Sequence, residues 1–441
     1  MSTRRHWPRR AARAAVAFAI ITPWLAEAQG AGRDSLRLGQ LYRDASSRDP
    51  RARQLELLSE QTALRLRSLD AERLPSLTLS ALAQYQSDVP SIPLELPGVS
   101  PPAVPRDSYD AHLAARQRLW DPSLGPRRDV ERAQLAESQA RVRASLFGLR
   151  QSVDEAFFAA LAMQSQEAEV SAAIVGLEGR LRVAAERVRG GAALPSDAAS
   201  LEAELLRRRQ LLAELTASRE AALEVLAHLT GRSLALGETL ALPDLGTQVM
   251  RARASLEAIR ERPEYEHFAR SRELLARQRE AVAARDKPRI SAFARAGHGR
   301  PGLDPLSADF DTYWLSGVQV EWTPWSWGVT GREREALALQ EQILVSEEAA
   351  FSESVRRAVM PALAAIDRLQ RALVTDEEIT GLRERILRET RLRFDEGVIT
   401  SSELVDRETE LLTARLARAV HRVELERARA RLLTLLGTEV R

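Results

Sequence analysis

Between residues 142 and 188 apolar side chains recur at every seventh position: Val142, Leu149, Ala156, Met163, Val170, Leu177 and Ala184. A second row, Leu146, Val153, Ala160, Ile174, Leu181 and Val188, interleaves with it and is broken only by Glu167. A heptad pattern kept over so many turns predicts a supercoiled helix packed against partner helices. From about Pro126 to Val188 it would run roughly 95 Å at about 1.5 Å per residue, longer than a globular core requires. A similar three-four spacing returns in Phe351, Val355, Ala358, Ala362, Ala365 and Leu369, ahead of Arg393.

Between these helical stretches the period falls to two. In Ser76 to Gln86, Leu77, Leu79, Ala81, Ala83 and Tyr85 alternate with Thr78, Ser80, Leu82, Gln84 and Gln86, which predicts a strand with one apolar and one wet face. A second strand follows over Ser108 to Trp120, and the proline-rich stretch Ser87 to Asp107 that joins the two cannot itself be strand. A second hairpin is expected in Arg289 to Gly297 and Thr312 to Trp322, where Trp314, Val318, Val320 and Trp322 share a face. Trp322, Trp325 and Trp327 cluster at the strand end, either as an aromatic girdle or as sheet-end packing.

The chain also repeats itself. RVRGGAALPSDAASLE, Arg187 to Glu202, is matched by RFDEGVITSSELVDRE, Arg393 to Glu408. Gly191 and Gly397 lie 206 residues apart, as do Gly231 and Gly437, and the register holds between them without a gap. Identical pairs include Glu202/Glu408, Glu204/Glu410, Leu205/Leu411, Ala213/Ala419 and Leu229/Leu435. A period of this length means a duplicated half-molecule rather than a solenoid unit. The division expected is 1–28 as a signal peptide, 29–240 as a first repeat and 241–441 as a second, each a helix, a β-hairpin and a long helix pair.

Composition then narrows the compartment. The first 28 residues have an arginine-rich start, an apolar run near Ala14 to Ala26 and the small-residue site Ala26-Glu27-Ala28, the form of an export signal. The apolar run is short for a spanning helix. Five arginines in this segment face Glu27 alone, so a formal net charge of +2 for the whole chain becomes about −2 without it. Interspersed charges of that balance do not suit nucleic acid. There is no cysteine, hence no disulfide framework and no acylated N-terminal cysteine. No later segment approaches 18 apolar residues, so any further membrane span must be made of strands. Four strands of about 9 to 13 residues are long enough to cross a bilayer. They cannot close alone, because the smallest transmembrane barrels need about eight and an open edge in lipid leaves backbone groups unpaired. Either the strands are not membrane strands or several chains pool them.

These residues resemble the TolC-like outer-membrane efflux proteins over essentially the whole chain after the signal. The carriers are SLRLGQLYRDASSRDPRARQLELLSEQ, the strand openings RLPSLTLSA and KPRISAFA, LWDPSLGPRRDVERAQ, and the two tip-plus-helix repeats ending in LTG and LLG. The resemblance implies a mostly α protein with a small β part: a homotrimer in which each chain gives four strands to a 12-stranded barrel and its long helices to a coiled-coil α-barrel in the periplasm. It implies an outer-membrane exit duct without enzymatic activity, docked on a periplasmic membrane-fusion adaptor and an inner-membrane pump of RND, ABC or MFS type. Cofactors and metals are not implied. The adaptor-docking tips would be Gly191, Ala192, Ala193 and Leu194, with Gly397, Val398, Ile399 and Thr400. The constriction would be Glu403 and Asp406, three residues apart on one helix face. Some members tie the gate through an aromatic hydroxyl three residues before the second tip glycine to a first-tip acid. Here those positions hold Phe394, which lacks the hydroxyl, and Asp197. Service in type I protein secretion is an alternative role for the same duct, and a soluble periplasmic coiled-coil scaffold is an alternative of another class.

Simpler roles compete for the same residues. Thr400 to Glu403 also reads as a capping box, and Asp197 suits the first turn of a helix opened by Pro195. Asp406 lies a turn further in, where the aligned Ser200 supplies no acid; three copies would make an anionic ring, and pairing with an arginine such as Arg407 of another chain is the alternative. Enzyme motifs fail. Gly297 to Gly302 spells G-x-G-x-x-G, but Pro301 and LDPLSADFD follow it instead of a helix. Lys287, preceded by Asp286, is the chain's single lysine, so there is no P-loop. Glu264 and His267 form one E-x-x-H, where a di-iron site needs two.

Overall fold

The computed structural model describes residues 36–89, 105–254, 261–304 and 307–438. The expected signal segment 1–28 lies outside them, as does most of the proline-rich stretch 87–107. Residues Ser35–Arg441 form one unit. Helix α1 (Leu38–Arg48) buries Leu38, Leu41, Tyr42 and Ala45, one face at three-four spacing. A 3-10 turn (Pro50–Arg53) leads into α2 (Gln54–Ala71), then strands β1 (Ser76–Tyr85) and β2 (Asp107–Trp120). Helices α3 (Leu124–Phe147), α4 (Leu149–Arg189), α5 (Pro195–Thr230), α6 (Gly246–Ala254) and α7 (Pro263–Ala283) follow. Strands β3 (Arg289–Arg300) and β4 (Asp311–Glu321) precede α8 (Val329–Asp395) and α9 (Ser401–Leu436).

The heptad rows became the buried seams. Val142, Leu146, Val153, Ala156, Ala160, Val170, Ile174, Leu177 and Ala184 are buried and none of the others is exposed. The single helix expected from Pro126 to Val188 is interrupted at Gly148, which separates α3 from α4; glycine costs about 1 kcal/mol against alanine inside a helix, so the ladder is weakest there. The α8 helix runs 67 residues with Pro361 inside it, about 100 Å at about 1.5 Å per residue. The largest core joins α1, α4, α5, α8 and α9 around Phe157 and Phe158, whose rings meet edge to face at 5.1 Å.

Beneath this core two buried acids sit among apolar side chains. The Tyr42 hydroxyl donates to the Asp154 carboxylate. Burial pushes the Asp154 carboxyl up to about 7, against the nearby Arg150 and Arg427, and drives the Tyr42 hydroxyl up as well. Glu426 accepts from the Leu245 amide at 3.0 Å and from Arg429 at 2.6 Å, and burial still raises it.

The four strands make one antiparallel sheet in the order β1-β2-β3-β4, leaving β1 and β4 as edges. The register sorts the two faces. Leu79 pairs with Leu113, Ala296 with Trp314 and Ala292 with Val318, all on one face. Ser80 pairs with His112, His112 with Gly297, and Gly297 with Tyr313 on the other. Thus the apolar and polar rows continue across all four strands. Leu77, Leu79, Tyr85, Leu113, Trp314, Val318 and Val320 are exposed, Trp314 at 75%. On the polar face Asp110 accepts from Tyr313 and bonds His112 Nδ1 at 2.5 Å.

This arrangement explains the glycine motif. Gly297, His298, Gly299 and Arg300 belong to β3, and Pro301 opens a turn. A Cβ on Gly297 would stand 2.6 Å from His112 Cβ and 2.9 Å from Tyr313 Cζ. The glycine lets Tyr313 lie across β3 and reach Asp110 on β2. Gly297→Ala is therefore expected to destabilise the protein by about 1–3 kcal/mol through overpacking, read as a lower thermal midpoint in detergent.

Candidate functional site: the paired helix tips

The two helix reversals share one backbone design. At the first, Gly191 has φ 69°; its amide bonds the Val188 carbonyl at 3.1 Å, and the Ala192 amide bonds that of Arg187 at 2.8 Å. At the second, Gly397 has φ 75°, with the Gly397 amide on Phe394 at 3.0 Å and the Val398 amide on Arg393 at 2.9 Å. Both are Schellman closures that need a residue in the left-handed region, which glycine adopts without a Cβ clash. Helices α5 and α9 each have 36 residues and begin 206 residues apart.

Capping accounts for part of the acidic pattern. Asp197 accepts from the Leu194 amide at 3.2 Å. At the second tip the Thr400 hydroxyl accepts from the Glu403 amide at 3.4 Å. Among the described residues neither the Glu403 nor the Asp406 carboxylate has a hydrogen-bonded partner, and both are exposed on α9. Arg407 is held by Glu410 of its own helix at 3.0 Å.

Asp197 has a second partner that the sequence reading missed. The Ser401 hydroxyl donates to its Oδ1 at 2.8 Å, with the Ser401 amide at 3.4 Å. The first tip is thereby tied to the second through a serine hydroxyl on α9, not through an aromatic hydroxyl at Phe394. Phe394 packs instead against the Leu387, Leu404 and Leu411 cluster, with the Arg187 guanidinium 6.0 Å above its ring. A cleft of about 370 Å³ lies between the tips, lined by Arg187, Leu194, Asp197, Phe394, Gly397 and Ile399 among others. Leu194 and Val398 project from the tips as exposed apolar groups.

Hydrogen bonding from Ser401 holds the Asp197 carboxyl below its ordinary range, with burial opposing. A lowered folded value gives a contribution that is present above the unfolded value near about 4 and is lost as pH falls through the folded one. The tie is expected to loosen in acid. Distances between spin labels on the two tips should widen below about pH 4 in the parent, and should not respond in Ser401→Ala.

About two turns behind the tips the helices meet on charge. Glu408 is 4% exposed and Arg208 2% exposed. Arg180 of α4 reaches Glu408 at 2.6 Å, Arg391 of α8 at 3.4 Å, and Arg208 of α5 at 3.8 Å. Arg208 also holds Glu204 at 2.8 Å, and the Thr409 hydroxyl donates to Glu204 at 3.3 Å. Burial pushes Glu204 up, but bonds from Arg207 and Arg208 outweigh it and keep it below the usual carboxylate range. Burial lowers the Arg180 guanidinium against the pull of Glu408. Four helices are pinned at one level by groups that cannot be left singly without cost.

The long helix pairs, their paired tips and the four-stranded sheet define the fold of outer-membrane channel proteins. Three solved structures show it in detail. CusC, solved in work on folding and transmembrane channel formation, superposes with a TM-score of 0.65 at 15% identity, covering 92% of this chain and 93% of that one. VceC of Vibrio cholerae gives 0.64 at 17% identity, covering 91% and 96%. The open state of the Neisseria gonorrhoeae MtrE outer-membrane channel gives 0.63 at 21% identity, covering 91% and 89%. No protein-family model and no curated protein sequence matches the chain.

Proposed function

We propose that the protein is an outer-membrane exit duct, assembled from three chains, that passes substrate from a periplasmic adaptor and an inner-membrane pump. The observation that carries this is the sheet: one face presents an exposed apolar row, Leu79, Leu113, Ala296 and Trp314, across all four strands, and both its edges are open. An open edge is not tolerated in lipid. Three copies in sequence give 12 strands and remove every edge, with the polar Asp110, His112 and Tyr313 row turned to the lumen. No helix among the described residues is long and apolar enough to cross a membrane. Resemblance of the solved channels in fold supports the same architecture, as does the 206-residue spacing of the tips for two duplicated halves. Native mass spectrometry of protein extracted from outer membranes should give three copies; recovery as a soluble periplasmic monomer would favour a coiled-coil scaffold.

In this reading the tips form the periplasmic gate and the adaptor-docking surface, with Leu194 and Val398 as the exposed apolar contacts. The Asp197 to Ser401 bond helps hold the gate, and three copies of Glu403 and Asp406 face the axis. An anionic ring prefers cations. Asp406→Ala is accordingly expected to reduce cation over anion selectivity severalfold in planar bilayers; unchanged selectivity and unchanged block by divalent ions would remove Asp406 from the constriction. The protein itself supplies no energy, and the pump chooses the substrate.

A further inference from the structure

The joint between β4 and α8 carries three tryptophans in a fixed arrangement. Trp322 donates its indole N–H to the Asp286 carbonyl at 3.0 Å, and the Thr330 hydroxyl donates to the Asp286 carboxylate at 2.7 Å. Asp286 thus fastens both sides of the joint. Trp325 and Trp327 meet edge to face at 6.0 Å. Trp327 has φ 54°, the one non-glycine residue with positive φ among the described residues, and Gly328 follows at 74°. A bulky side chain in the left-handed region is strained, yet here the indole is 80% exposed. The strain serves no burial within the chain; it aims an indole outward.

What the indoles face can be read from their surroundings. Trp322 continues the apolar row of Trp314, Val318 and Val320, so the patch is the lower border of the face assigned to lipid. Two cations flank it. Lys287, the chain's only lysine, is exposed next to Asp286. Arg332 lies 3.4 Å from the position a Cβ would take on Gly328, and is exposed. Neither has a carboxylate partner among the described residues. By contrast Arg285 is held by Glu333 at 2.7 Å. Indoles at the ester level of a bilayer with cations at the phosphate level match a phospholipid in both parts.

We propose that Trp325, Trp327, Lys287 and Arg332 form a binding site for the phosphate head group and glycerol region of a phospholipid in the periplasmic leaflet. The site rests on the membrane reading of the sheet, and it adds a specific lipid contact at each protomer's β4–α8 joint. It would fix the depth of the barrel where the helices leave the membrane.

The test uses full-length protein delipidated in detergent, returned to phosphatidylglycerol vesicles, re-extracted and examined by native mass spectrometry. The parent is expected to retain phosphatidylglycerol, and the double variant Lys287→Gln with Arg332→Gln to retain at least fivefold less while still conducting. Trp327→Gly should lose lipid at least threefold yet melt no lower in lipid-free detergent, because glycine accepts this backbone conformation. Equal retention by the parent and the charge variant overturns the site, and so does a Trp327→Gly variant that keeps its lipid or melts lower. Failure of the parent to insert at all would overturn the membrane reading beneath it.

Discussion

Replacing Glu408 by alanine is expected to destabilise the protein by about 3–5 kcal/mol, the usual cost of removing one partner from a buried ion pair. The carboxylate is 4% exposed and meets arginines from α4, α5 and α8. Without it the buried Arg208 and the partly buried Arg180 are left with an excess of positive charge, and only Glu204 is left to compensate. Chemical denaturation in detergent reads the loss directly. Arg391→Ala is the control: its guanidinium is about half exposed, and an exposed pair contributes about 0–1 kcal/mol. Equal losses in the two variants would mean that Glu408 is not the centre of the network. Glu408→Ala should also loosen the two helix pairs from one another at this level, while the Asp197 to Ser401 bond still ties the tips.

The second large effect is expected from pH. Asp154 has its folded value raised to about 7 by burial, against about 3.9 in an unfolded chain. A raised value means stability that is whole below the unfolded value and is lost as pH rises through the folded one. Between about pH 4 and 7 the loss is on the order of 4 kcal/mol, since each pH unit separating the two values corresponds to about 1.4 kcal/mol. An asparagine can still accept from the Tyr42 hydroxyl and has no charge to bury. Asp154→Asn should therefore gain on the parent as pH is raised from about 5 to 8, with the difference levelling above about pH 7. Parallel dependence of stability on pH in parent and variant across that range would show that burial does not hold back the ionisation of Asp154.

The helices and strands were legible because their periods were unmixed. Heptad rows at 142–188 became buried seams, and alternation placed all four strands within a few residues, apart from the longer end of β3. The break at Gly148 was not foreseen, since a glycine between Phe147 and Leu149 leaves the apolar period intact. At the tips, legibility ended where a bond depends on three-dimensional approach. Ser401 reads as a residue of a capping segment, and nothing in its spacing says that its hydroxyl meets Asp197 across 204 positions.

The buried charge network was missed for a different reason. Charged residues on a long helix ordinarily mark its solvated face. A signal was available: Leu404, Glu408 and Leu411 follow a four-three spacing, as do Glu204, Arg208 and Leu211 behind Leu201. An acid and a base occupying core positions of two aligned helices predict that they meet. Glu403 and Asp406 lie off that row, on the exposed side of α9.

That several copies of this chain close into one water-filled duct through a membrane is tested most directly by single-channel recording of the purified full-length protein in planar bilayers. Discrete, long-lived conductance steps are expected, and they should rise when Ser401→Ala releases the tie between the tips. A membrane-inserted protein that gives no steps, in the parent and in Ser401→Ala alike, would contradict the duct.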